Sequence, residues 1–150
     1  MNVKLAKLVL QTLAVMHIIA GLALPWLVDL PQFAFYNRHL LAAFNTDVSE
    51  ALAMGKFMVG LLGPTIASWG VLFLFVVTVS FQTRSKTGWY IMLIAITGWT
   101  LSDMYLSFVA GVYLNLVIDL IVSGLLLTPL LKTRRWFFPH LVNTEHGQAI

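Results

Sequence analysis

The chain has 150 residues, 59% of them hydrophobic and 10% charged, with nine basic side chains against six acidic ones. Soluble domains carry roughly 25% charged residues, so this composition excludes an ordinary soluble domain and points to one integral membrane domain over 1–150. There is no cysteine, which excludes disulfides, thiolate catalysis and cysteine-ligated clusters, and the basic residues lie beside apolar runs, which suits anionic lipid rather than nucleic acid.

A bilayer core of about 30 Å takes about 20 apolar residues per helix, and four such runs follow one another at about 8–29, 57–80, 89–110 and 114–131. The expected fold class is an all-α membrane protein, a four-transmembrane-helix bundle with a short interfacial amphipathic helix between spans 1 and 2. In the first run Leu13, His17, Gly21, Pro25 and Asp29 step by four along one face, and Pro25 is expected to kink its end. A cleaved leader is the rival reading, with Gly21 and Ala23 before Leu24, but the run is long for a leader and contains His17.

Between the first two runs, Pro31 to Phe44 set Phe33, Tyr36, Leu40, Leu41 and Phe44 at helical spacing against Asn37, Arg38 and His39. This pattern predicts the amphipathic helix at the interface, which as a lid would cover an opening into the bundle. Asp47 followed by Glu50 reads as a capping-box variant and starts the second helix near Val48. The second run holds no charge from Phe57 to Thr83, and Gly60, Gly63, Pro64, Ala67, Ser68 and Gly70 crowd one side of it. Small residues at such steps let helix backbones approach closely in lipid, so Gly60, Gly63, Pro64, Ala67 and Gly70 are the expected packing face. Lys56, just before this run, is placed to pair with Asp29.

The third and fourth runs form a hairpin bent at Gly111. After them Lys132, Arg134 and Arg135 meet Trp136, Phe137 and Phe138, a basic-aromatic belt expected at the lipid interface, followed by a cytoplasmic tail over 132–150. Lys4, Lys7, Arg84, Lys86, Lys132, Arg134 and Arg135 fall on one side of the spans, against Arg38 and Lys56 on the other. Seven against two is a positive-inside bias, and it predicts a bacterial-type inner (plasma) membrane protein with both termini cytoplasmic.

The hairpin carries Asp103 and Asp119, the only acids inside long apolar segments, each eight residues from Gly111. Residues equidistant from the bend of an antiparallel hairpin lie at the same depth, so Ser107 meets the level of Asn115, Asp103 that of Asp119, and Trp99 that of Ser123. A carboxylate at that depth costs about 2.5–3.5 kcal/mol, and two acids in one apolar site are most cheaply accommodated by sharing a proton or binding a cation. The candidate binding or proton site is therefore Asp103, Asp119, Asn115, Ser107, Trp99, Ser123 and His17, the last contributing an imidazole that can both donate and accept a proton.

Three uses remain open. Ser107, Asn115, Ser123, Thr100 and the Trp99 indole could hydrogen-bond the acids in a purely structural role; the acids could form a proton, cation or hydrophobic-ligand site in a small transporter or binding protein; or they could face a partner in an accessory or assembly subunit of a larger membrane complex. A membrane enzyme on lipid-soluble substrates ranks third behind transport or binding and the accessory role. No catalytic motif of the GxSxG or SxxK kind, no HExxH metal spacing and no paired haem histidines are present, so neither enzyme activity, metal nor cofactor is expected. The expected partners are membrane lipids and either further copies of the chain or a larger complex. The chain departs from small multidrug exporters, whose hallmark is a glutamate in the first span; that span here holds His17 and no acid.

Overall fold

The computed structural model describes residues 1–44 and 49–139, which are helical throughout apart from short turns. In chain order the elements are α1 (Val3–Leu27), a 3-10 turn (Pro31–Phe33), α2 (Ala34–Ala43), α3 (Ser49–Thr83), α4 (Lys86–Val109), α5 (Tyr113–Lys132) and α6 (Arg134–Phe137). Four of them, α1, α3, α4 and α5, are long and apolar enough to cross a membrane. Asp47 and Val48, on which the capping expectation rests, and the tail from 140 to 150 lie outside the described residues.

Local sequence explains the helix ends. Asn2 starts α1 by accepting a hydrogen bond from the Lys4 amide at 3.0 Å, and Ser85 starts α4 by accepting one from the Gly88 amide at 3.1 Å, each satisfying an otherwise free first-turn N–H. Gly111, at φ +73°, supplies the left-handed residue that reverses the chain between α4 and α5. Each long helix begins before its expected span, and α1 and α4 end one or two residues short of theirs. Ser49 to Thr83 is one continuous helix of roughly 50 Å at 1.5 Å per residue, and Pro25 and Pro64 both lie inside helices without ending them.

α1 lies along α3 and α4 along α5; α3 also touches α4, and α1 touches α5, closing a four-helix ring. Its centre is filled by Leu10, Val77, Met92, Ile96, Leu126 and Leu130. The outward faces are equally apolar, with Leu8, Leu22, Phe75, Ile94 and Leu120 all exposed. Such a surface suits lipid rather than water.

The α1–α3 contact is closest where both helices lack side chains. A Cβ on Gly21 would collide with the Ala67 amide and the Gly63 carbonyl, and one on Gly70 would come within 2.9 Å of the Ala14 carbonyl. Gly60 is looser, its nearest neighbour being Pro25 at 3.6 Å. Pro64 and Ser68, expected on this packing face, are exposed on another side of α3. The reason is helical periodicity: Gly60, Gly63, Ala67 and Gly70 follow the 3-4-3 ladder that faces α1, whereas Pro64 and Ser68 are displaced about 100° from Gly63 and Ala67.

The basic-aromatic segment after α5 is more than an interfacial belt. Thr133 and Phe137 are buried, Phe137 meets Phe81 edge-on at 5.0 Å, and Phe138 meets Trp89 at 5.3 Å. The Arg84 guanidinium covers the Trp136 ring at 3.7 Å. Lys132, Arg134 and Arg135 stay exposed, while the aromatics between and after them close the end of the bundle that holds the N-terminus and the α3–α4 turn.

Because Gly21 has no room for a side chain, Gly21→Val is expected to force α1 from α3 and destabilise the protein by about 1–3 kcal/mol. Gly60→Ala, which meets only ordinary contacts, is expected to leave stability unchanged or slightly raised. Thermal unfolding of the two variants in one detergent checks the difference.

Candidate functional site

The acid pair is built by the α4–α5 hairpin. On α4 the inward ladder runs Met92, Ile96, Thr100 and Ser107, and on α5 it runs Asp119, Ser123, Leu126 and Leu130. Asp103 lies between Thr100 and Ser107 on the α4 ladder and is half-buried. The hairpin brings the two acids close enough for their carboxyl groups to interact. Asp119 is only 3% exposed, and among the described residues its Oδ2 has no hydrogen-bond partner.

Two of the hydroxyls expected to satisfy these acids are committed elsewhere. Thr100 donates to the Ile96 carbonyl at 2.8 Å and Ser123 to the Leu120 carbonyl at 3.3 Å, each within its own helix. Ser107 is buried one turn beyond Asp103. Asn115, one turn before Asp119, accepts a hydrogen bond from the Tyr36 hydroxyl at 3.2 Å.

That last bond ties α2 over the end of the bundle. Beside it, the Leu114 amide in the first turn of α5 donates to His39 Nε2 at 3.4 Å, and buried Asn37 donates to the Val28 carbonyl at 3.4 Å. Asn37 and His39, expected on the water-facing side of α2, are thus turned inward, because the free polar groups at the end of α1 and the start of α5 need partners. Tyr36 holds its proton above the usual tyrosine value of 10.0, chiefly because burial disfavours the phenolate, with the nearby acid pair adding to the effect. Below α2 the loop is anchored again by the pairing of Lys56 Nζ with Asp29 Oδ1 at 3.0 Å; Asp29 is largely exposed, so this contributes about 0–1 kcal/mol.

His17 and Trp99 belong to a different place. His17 Nδ1 lies 2.7 Å from the Leu13 carbonyl, and the imidazole packs on Trp69 with centroids 5.0 Å apart. Trp99 in turn lies 6.4 Å from Trp69. Among the described residues no three His, Asp or Glu side chains converge as a metal site would need; His17 lines a space with Trp69 and Trp99. Trp69 was not singled out from sequence, since an aromatic in an apolar run carries no signal of its own; nor was the Tyr36–Asn115 bond, which joins residues 79 positions apart.

Comparison with protein-family models, with curated proteins and with solved structures finds no match for this chain.

Removing the Tyr36 hydroxyl isolates the tie. Tyr36→Phe is expected to cost about 0.5–1.5 kcal/mol, seen as two- to tenfold faster hydrogen exchange of the α2 amides with the four long helices unchanged. Since the raised value favours the protonated phenol, the contribution of Tyr36 is complete below pH 10 and falls away as pH rises through its own higher value. Ultraviolet titration is expected to show a late-ionising tyrosinate component that is missing in Tyr36→Phe.

Proposed function

We propose that the chain is a four-span protein of a bacterial-type inner membrane, with both termini cytoplasmic, that binds and exchanges a proton or small cation at Asp103 and Asp119. The observation that carries this reading is the buried Asp119 Oδ2, left without a partner beside a second carboxyl group. An ionised carboxylate at bilayer depth costs about 2.5–3.5 kcal/mol, and two ionised ones in contact add their repulsion. The resting pair therefore holds one proton between two carboxyl oxygens. A cation that enters can take the place of that proton, one positive charge in and one out, so the charge of the site is conserved.

Orientation follows from the seven-to-two distribution of basic residues, which sets α2 and the Gly111 turn on the outer face. α2 is then the outer cover of the site. A cavity of about 490 Å³ between α2 and the first turns of α3 is mostly apolar, with Tyr36, Asn37 and Lys56 in its wall; in this reading an ion reaches the acids past α2 once the Tyr36–Asn115 bond opens. The committed hydroxyls of Thr100 and Ser123 weigh against a purely structural pair, which would use them.

In proteoliposomes loaded with a pH-sensitive dye, external alkali cations are expected to drive proton movement through the unaltered protein. Asp119→Asn and Asp103→Asn are each expected to reduce it to the rate of empty liposomes while leaving the helical content and thermal midpoint intact. Transport unchanged in both variants, or no cation-dependent proton movement in the unaltered protein, contradicts the proposal.

A further inference from the structure

Near the middle of α1, α3 and α4, His17, Thr65, Ile66, Trp69 and Trp99 line a cavity of about 140 Å³. It is open on one side and lined mostly by apolar surface, with the imidazole, the Thr65 hydroxyl and two indole rings in its wall. A closed apolar cavity of about 150 Å³ admits one benzene ring, so this space has room for a single six-membered ring. The wall is pre-set: Trp69 stacks on Phe73 with centroids 4.8 Å apart and planes inclined by 9°, which holds the indole in place.

The polar element is directional. The Leu13 carbonyl can only accept, so in the neutral imidazole the hydrogen that meets it at 2.7 Å sits on Nδ1. Nε2 then carries a lone pair, and it has no partner among the described residues. A ring that bears a hydroxyl can donate to Nε2, whereas one with acceptors alone cannot. The open side leaves a way for an apolar chain to run out into the surrounding lipid.

We propose that this cavity binds a phenolic lipid, a single aromatic ring whose hydroxyl donates to His17 Nε2 and whose apolar tail extends into the membrane. The ring rests against Trp69 and Trp99. The site rests on the membrane placement proposed above but is separate from the acid pair.

Calorimetric titration of the full-length protein in micelles, corrected with empty micelles, tests this with para-heptylphenol and its methyl ether para-heptylanisole. The two probes differ only in the donor hydrogen. The phenol is expected to bind about tenfold tighter than the ether, the worth of one hydrogen bond. In His17→Phe, which keeps the ring volume and removes the acceptor, the two probes are expected to bind within about twofold of each other. Equal affinity of the probes for the unaltered protein overturns the proposal, as does a preference that survives in His17→Phe or the absence of saturable binding by either. The comparison on the unaltered protein stands even where the variant fails to fold.

Discussion

A carboxylate enclosed by apolar helices has to be neutralised where it stands, and much of this molecule is arranged around the place where two of them meet. The bend at Gly111 sets Asp103 and Asp119 level and within reach of each other. The neighbouring hydroxyls of Thr100 and Ser123 turn to their own helix carbonyls and leave the Asp119 Oδ2 unpartnered. α2 then covers the same end of the bundle through Tyr36 and His39. In that setting only a proton or a bound cation removes the cost of the second charge.

The two halves of the bundle divide the work. α1 and α3 touch through Gly21, Gly63, Ala67 and Gly70 with no space for an added carbon at the tightest points, which makes a stiff pair held by close backbone contact. α4 and α5 carry the acids. α4 also carries Trp99, one helical turn from Asp103, which faces the imidazole and indole of the stiff pair. One helix therefore serves two polar features with different surroundings, a carboxyl pair beneath α2 and a lone imidazole acceptor in an apolar cavity.

Periodicity and charge made the scaffold legible in the sequence. Four long apolar runs, the Gly111 bend and the equal spacing of the two acids are local or symmetric features, and they were sufficient to place Asp103 beside Asp119. The pairing of Asp29 with Lys56 followed from their levels in adjacent helices. What was not legible depends on which way a side chain turns. Trp99 shares a depth with Ser123, but its ring points to Trp69; depth comes from counting residues, whereas direction depends on the packing of a third helix. Asn37 and His39 look like solvent-facing residues of an amphipathic helix until the unsatisfied ends of α1 and α5 are known. The aromatic closure by Phe137 and Phe138 was hidden for a similar reason, because a basic-aromatic run reads equally well as a lipid belt.

The central claim is that Asp103 and Asp119 hold one exchangeable proton. Infrared difference spectroscopy of the reconstituted protein, with and without added alkali cation, tests it most directly through the C=O stretch of a protonated carboxyl group. The account predicts such a band in the unaltered protein, its loss when the cation is added, and its absence from the cation-induced difference in Asp119→Asn. A carboxyl band that is indifferent to cations, or a cation response retained in full by that variant, would contradict it.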